Sequence, residues 1–110
     1  MGKFIISKRL SGEFHFSLKA GNDEIILTSE GYSSKSGCHT GIESVKVNAQ
    51  DDHKYDRRMA TNGKYFFTLE AVNGQTIGVS GMYESEAGCN KGIASVKLNA
   101  PTAIVQDSTV

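Results

Sequence analysis

The sequence predicts an α+β fold in which two tandem βββα repeats and a C-terminal strand form one antiparallel sheet, with both helices packed on one face. Two observations predict this architecture. The chain repeats itself at a constant shift of 51 residues, and in each copy a strand-like alternation of apolar and polar residues gives way to a helical apolar stripe. A unit of about 50 residues buries too little surface to be stable alone, so we expect both copies to share one pseudo-twofold domain.

The internal repeat aligns residues 12–49 with residues 63–100 without a gap, and about half of the aligned positions are identical. We therefore divide the single domain, residues 1–110, into a first repeat over residues 1–51 and a second repeat over residues 52–110. Turn residues such as Ser11-Gly12 and Asn62-Gly63 separate the segments within each copy.

Strands are predicted where apolar and polar residues alternate, as in residues 14–20 and 65–71. Further strands are predicted over residues 3–8, 24–28, 54–59, 75–79 and 102–106. We expect the last of these to complete the second repeat and residues 54–59 to complete the first. Whether such strand exchange takes place within one chain or between two chains is left open.

Each copy ends in a predicted helix, with Ser33 or Ser34 capping the first and Ser85 capping the second. At 3.6 residues per turn, one stripe of the first helix consists of Cys38, Ile42, Val45 and Ala49. The positions that differ between the copies lie on the opposite side of the helix. Identity between copies therefore follows the face that is predicted to be buried, which indicates shared packing and not a shared reaction.

Composition excludes several classes of protein. Lys and Arg number 12 and Asp and Glu number 12, so the formal net charge is zero, whereas a dedicated nucleic-acid binder normally carries an excess of basic residues. No apolar run approaches the ~20 residues that span a bilayer, and the N-terminus lacks the apolar segment of a signal peptide. Two cysteines do not make a disulfide scaffold. We expect a cytoplasmic protein with no membrane partner.

The duplicated helix region carries a family resemblance. The segment from Ser29 to Asn48 and its copy from Ser80 to Asn99 share the pattern S-x-x-Y-x-S-x-x-G-x-x-x-G-I-x-S-V-x-x-N. This tandem signature resembles the YegP-like family of small bacterial proteins of unknown function. The resemblance implies tandem βββα units in a single sheet, with exchange of the last strand between units. It implies no activity and no cofactor.

Candidates for chemistry are few. Cys38 is followed by His39, but Cys89 is followed by Asn90, so the second copy lacks the pair that a shared metal site would need. We predict that both cysteines are free and buried, with a disulfide or inter-chain contact between them as the alternative. We predict no enzyme, no metal and no cofactor. A thiol-dependent enzyme or redox protein using Cys38 stays open as an alternative, because a helix N-terminus lowers a thiol pKa.

The remaining candidate is the sheet face opposite the helices, which we interpret as the binding face of a non-enzymatic interaction module for an unknown protein partner or a second copy. Nine residues make up this predicted face: His15, Ser17, Lys19, Arg57, Arg58, Lys64, Phe66, Thr68 and Glu70. An aromatic residue among basic residues is also typical of sheets that stack nucleic-acid bases, although no RNA-binding motif is present. An ordinary solvated sheet face is the remaining alternative.

Overall fold

The computed structural model describes residues 2–109, and its elements follow the predicted order. The first repeat contains β1 (Lys3–Lys8), β2 (Phe14–Lys19), β3 (Ile25–Ser29) and α1 (Lys35–Asn48). The second contains β4 (Tyr55–Met59), β5 (Tyr65–Glu70), β6 (Thr76–Val79) and α2 (Glu86–Asn99), and β7 (Ile104–Asp107) follows. Short 3₁₀ turns over Asp52–Lys54 and Ala100–Thr102 lead into β4 and β7. The predicted α+β class with seven strands and two helices is confirmed.

All seven strands belong to one sheet in the order β4-β5-β6-β3-β2-β1-β7. The repeats meet where β3 pairs antiparallel with β6, with Thr28 opposite Val79, so the pseudo-twofold axis passes between these two residues. All five pairs among β1 to β6 are antiparallel, but β7 runs parallel to β1. The prediction of a purely antiparallel sheet was therefore wrong. β1 and β7 are the first and last strands of the chain, so no tight turn joins them to impose antiparallel pairing.

The terminal strand completes the first repeat, so the prediction that it completes the second was wrong. Ile104 lies opposite Lys3 and Asp107 opposite Ile6, while β4 pairs with β5 of its own repeat. The assignment of residues 54–59 to the first repeat was likewise wrong. The last strand is thus exchanged between units within one chain, as the family resemblance implies. A consequence is that β1 has a neighbour on its outer side and its counterpart β4 is an edge strand.

Both helices pack on one face of the sheet and start at the predicted caps. Ser34 and Ser85 each accept a hydrogen bond of 3.0 Å from a backbone N–H in the first helical turn. The predicted helical stripe is buried, and it meets fully buried strand residues on the same side of the sheet: Phe4, Ile6, Phe16, Leu18, Phe67 and Leu69. Each such side chain contributes about 1.5–3 kcal/mol through burial, so this single layer carries the stability of both repeats.

The duplicated tyrosines and glycines of the signature are explained by packing. Tyr32 stacks on Phe16, with ring centroids 6.3 Å apart, and its ring crosses over Gly41. A Cβ atom at Gly41 would lie 2.8 Å from Cζ of Tyr32. Tyr83 and Gly92 repeat the arrangement in the second copy. Glycine at these two helix positions therefore leaves room for the tyrosine ring.

Candidate functional site

The sheet face opposite the helices, called here the open face, carries no second layer among residues 2–109. Its centre is a row of side chains that crosses all seven strands at one level. Read from the strand registers, that row consists of Gln106, Ile5, Ser17, Thr28, Val79, Thr68 and Asp56. Between its two ends the row is uncharged and built from small or β-branched side chains, which leaves a smooth central strip.

The open face is basic at one end. Because β2 and β5 run in opposite directions, Lys19 and Phe66 lie at the same end of the sheet, with Lys3 opposite Lys19 and Arg58 opposite Phe66. We call these four residues the basic end. Like charges directly opposite each other on neighbouring strands destabilise a sheet. Neither Lys3 nor Lys19 reaches a carboxylate within residues 2–109 to offset this repulsion.

Seven of the nine predicted residues lie on strands with their side chains on the open face: His15, Ser17, Lys19, Arg58, Phe66, Thr68 and Glu70. Lys64 precedes β5, and its ammonium is 3.2 Å from a carboxylate oxygen of Glu84. Arg57 lies on the opposite side of the sheet, where its Nε donates to Oδ1 of Asn90 on α2 at 2.8 Å. Its assignment to the open face was wrong, because successive residues of a strand point to opposite faces.

The cations that sequence analysis grouped around Phe66 are dispersed. Arg58 is paired with Asp56 at 2.8 Å and Lys64 is paired with Glu84, while Arg57 faces α2. Lys19 shares the end of the sheet with Phe66 but is separated from it by β3 and β6, a distance of roughly 14 Å across three strand spacings. The structure thus offers no compact basic cluster around an aromatic ring, as base stacking with phosphate contact would require.

Two polar atoms on the open face are buried without a hydrogen-bond partner among the described residues: Nδ1 of His15 and Oγ1 of Thr68. Burial, followed by the charge of Arg9, lowers the pKa of His15 below its ordinary value, so the neutral imidazole is favoured at neutral pH. Thr68 is 6% exposed although no helix covers this side of the sheet. Buried polar atoms normally have a hydrogen-bond partner. On the open face these two atoms have none among residues 2–109.

The cysteines are free and buried, as predicted. Burial, with the nearby carboxylate of Asp107 as a second cause, raises the pKa of Cys38 to about 11. Burial is also the main cause that raises the pKa of Cys89. Both thiols therefore stay protonated at neutral pH, the reverse of an activated nucleophile. Within residues 2–109 no three His, Cys, Asp or Glu side chains are grouped as a metal site would need.

A groove beside β4 was not foreseen in the sequence. It has a volume of about 310 Å³ and lies between β4, the start of β5 and the first turns of α2. We call it the strand groove, and its lining residues are Arg57, Arg58, Met59, Tyr65, Glu86, Cys89 and Asn90. The number of strand segments in the sequence could have revealed it. The sequence contains three copies of the first-strand pattern for only two repeats, so the two repeats must differ at their outer edges.

Neither helix, within the part of the chain that the structure describes, has the length and apolar character needed to cross a bilayer.

Comparison with known proteins places the whole chain in one family. A domain of unknown function, DUF1508, matches twice, over residues 11–56 and over residues 60–107. A UPF0339 protein encoded in the ptx operon 5′ region of Stutzerimonas stutzeri is 52% identical over 104 residues, covering 94% of each chain. The UPF0339 protein YegP of Escherichia coli strain K12 is 46% identical over 108 residues, covering 98% of each.

Solved structures agree with the fold. The solution structure of yegP from E. coli superimposes with a TM-score of 0.93 at 46% identity, covering 97% of this chain and 92% of that one. A UPF0339 protein from Shewanella oneidensis gives a TM-score of 0.91 at 46% identity, covering 96% of this chain and 90% of that one. The tandem signature, the topology and these matches agree, and the chain belongs to the DUF1508/UPF0339 family, whose function is unknown.

Proposed function

We propose that the protein is a non-enzymatic interaction module that binds the acidic surface of another protein through its open face. The observation that carries the proposal is the uncovered seven-stranded face, whose uncharged central row leads to a basic end. An antiparallel sheet commonly leaves one face to solvent, but such a face normally carries dispersed, mutually compensated polar residues. Here Lys3 and Lys19 stand opposite each other, and neither is paired with a carboxylate of residues 2–109.

The basic end supports an acidic partner. Lys3 and Lys19 stand opposite each other and repel, without a carboxylate of residues 2–109 to relieve them. A partner that brings a carboxylate between the two ammonium groups removes this repulsion at the moment of binding. Complementary charge of this kind also favours rapid association and the correct orientation of the two proteins.

The central row supports contact with a protein surface. Ser17, Thr28 and Val79 are short side chains that are only partly exposed, so a partner can lie flat across them without ordering long side chains. The buried hydroxyl of Thr68 in the same row lacks a partner within residues 2–109.

Several features favour binding over catalysis. Both thiols are buried with raised pKa values, and the neutral imidazole of His15 is on a different face of the sheet from either cysteine. The free thiols also suit a reducing compartment, so we place the module in the cytoplasm.

Site-specific photo-crosslinking in bacterial cells tests the proposal. A photoreactive phenylalanine analogue is placed at Phe66 on the open face or, as the matched control, at Leu98, which is 78% exposed on the outer side of α2. We expect discrete protein adducts from position 66 that survive nuclease treatment and decline severalfold in the Lys3→Glu, Lys19→Glu double variant. Position 98 should give no such adducts.

Three results would overturn this assignment. Equal adducts from both positions would indicate non-specific contact, and adducts that disappear with nuclease would indicate nucleic acid. An adduct with twice the mass of the chain would show that a second copy covers the face.

A further inference from the structure

The two repeats present different outer edges, and the first repeat shows what such an edge can hold. In the first repeat, β1 is hydrogen-bonded to the parallel strand β7, with Lys3 opposite Ile104 and Ile6 opposite Asp107. In the second repeat, the counterpart strand β4 is at the edge of the sheet and has no outer neighbour among residues 2–109. The chain therefore contains one occupied and one open version of the same edge.

The occupied edge binds its strand through both the sheet and the helix. The N–H of Ser108 donates to the carbonyl of Ile6 at 2.9 Å, which extends the ladder beyond β7. The ammonium of Lys35, in the first turn of α1, lies 3.0 Å from a carboxylate oxygen of Asp107. A strand at this position is thus fixed by backbone hydrogen bonds to β1 and by an ion pair to the helix.

The strand groove is the same place in the second repeat. At the repeat shift of 51 residues, Arg57, Glu86 and Cys89 of the groove correspond to Ile6, Lys35 and Cys38. The tail of the chain contacts Ile6 and Lys35 directly in the first repeat. The groove of about 310 Å³ beside β4 is the equivalent space without a tail in it.

The backbone of β4 is able to accept a strand. In an antiparallel pair, alternate residues direct their N–H and C=O groups toward the partner strand and the others direct them outward. Ile6 is an outward residue of β1, since its carbonyl accepts from Ser108, and its counterpart on β4 is Arg57. Tyr55, Arg57 and Met59 therefore present their backbone groups to the outside. Met59 is 63% exposed and adds apolar surface beside them.

The charge of the helix residue is reversed between the two edges. Lys35, which pairs with Asp107 in the first repeat, is replaced by Glu86 in the second. The guanidinium of Arg57, which also lines the groove, is already held by Asp52 at 3.2 Å and by Asn90 at 2.8 Å. We propose that the strand groove binds an extended segment of another protein, parallel to β4, with Lys or Arg at the position that Asp107 occupies in β7.

A second copy fits this edge less well. Antiparallel pairing of two β4 strands about their centre would place Arg57 opposite the partner's Arg57, and like charges in that arrangement are destabilising. The β7 strand of a second copy would bring Asp107 toward Glu86. Charged residues thus disfavour pairing of this edge with a second copy, as charged residues on edge strands commonly do. A segment that carries Lys or Arg near Glu86 avoids the repulsion.

A charge-swap titration tests the proposal. The ¹⁵N-labelled protein is titrated with two peptides, one with the sequence of residues 102–109, TAIVQDST, and one carrying Asp107→Lys. We expect amide shifts at Tyr55, Arg57 and Met59, with the lysine peptide bound about threefold to fivefold more tightly, the range of a partly exposed ion pair. The Glu86→Lys variant recreates the first-repeat environment and should reverse the preference; Glu86 is exposed, so the variant is expected to fold.

The outcomes separate this proposal from the proposed function. Shifts confined to Ser17, Thr28 and Thr68 would show peptide binding on the open face and would overturn strand addition at β4. Shifts on β1, a preference that Glu86→Lys leaves unchanged, or no shift at millimolar peptide would overturn it too. Shifts of the β4 amides that depend on protein concentration without peptide would assign the edge to a second copy. Failure of strand addition at β4 would leave the cross-linking expected at Phe66 unchanged.

Discussion

At the scale of single residues, the serines that are identical in the two copies form hydrogen bonds with buried backbone groups. The hydroxyl of Ser29 accepts from the N–H of Phe16 at 2.9 Å and donates to the carbonyl of Glu30 at 2.8 Å. Ser80 makes the same two bonds with Phe67 and Gly81. A buried N–H left without its partner costs about 1–3 kcal/mol, so serine is retained in both copies for structure.

The cysteines give a prediction about reactivity. Because burial raises the pKa of Cys38 to about 11, almost no thiolate is present at pH 8. Alkylation of the native protein by iodoacetamide should be at least ~100-fold slower than alkylation of the denatured protein. Mass spectrometry of timed samples measures both rates. Rapid native labelling of Cys38 would instead restore the thiol-enzyme alternative.

His15 gives a prediction about pH. Its pKa is lowered in the folded protein, so the unfolded chain takes up a proton near its ordinary pKa that the folded protein does not. The free energy of unfolding should therefore fall as the pH decreases from 7 through the ordinary histidine pKa toward 5. Denaturant titrations of the wild type and of His15→Asn should show a smaller decrease in the variant. Equal slopes would contradict the burial of the imidazole.

At the scale of secondary-structure elements, α1 offers two glycines with opposite expectations. A Cβ atom at Gly41 would lie 2.8 Å from Cζ of Tyr32 and 3.0 Å from Cε2 of Phe16, whereas at Gly37 its nearest neighbours are 3.4 Å away. We expect Gly41→Ala to lower the free energy of unfolding by about 1–3 kcal/mol through overpacking. Gly37→Ala should be neutral or stabilising by up to about 1 kcal/mol, because alanine favours the helix. Thermal unfolding of both variants measures the two changes in stability. Equal changes would contradict the packing of Tyr32 over Gly41.

The attachment of β7 is the second prediction at this scale. Hydrogen bonds from Thr109 and Lys35 lower the pKa of Asp107 to about 2, so its carboxylate favours the folded state above its ordinary pKa and ceases to do so as the pH falls toward 2. We expect Asp107→Asn to speed amide hydrogen exchange in β7 severalfold while β5 stays protected. Unchanged exchange in β7 would show that the ladder to β1 alone holds the strand.

At the scale of the whole molecule, sequence reasoning was most successful where local pattern decides the outcome. The helical caps at Ser34 and Ser85, the buried helical stripe and the strand positions follow from spacing and side-chain chemistry. The destination of β7 could not be obtained this way, because nothing within residues 102–106 says which distant edge they will join. The side of the sheet that Arg57 occupies was predicted wrongly, although strand geometry gives it: Arg57 and Arg58 are adjacent, and successive strand residues point to opposite faces.

The same limit applies to function. The repeat signature describes a core that both copies share, and its identical residues serve packing. Two residues that carry the proposals lie where the copies differ: Lys19 of the basic end corresponds to Glu70, and Lys35 corresponds to Glu86. Duplication thus supplies a symmetric scaffold, and divergence supplies the two surfaces on which the proposals rest.

An in-cell amide spectrum of the ¹⁵N-labelled protein tests the binding role of the open face most directly. The account predicts that Ser17, Thr28 and Thr68 are broadened in the cell and that Lys3→Glu with Lys19→Glu restores their signals. Amides on the outer sides of the helices, such as Val47 and Leu98, should stay sharp throughout. Uniform broadening, or broadening confined to the helices, would contradict the assignment of the open face as the surface that meets a partner.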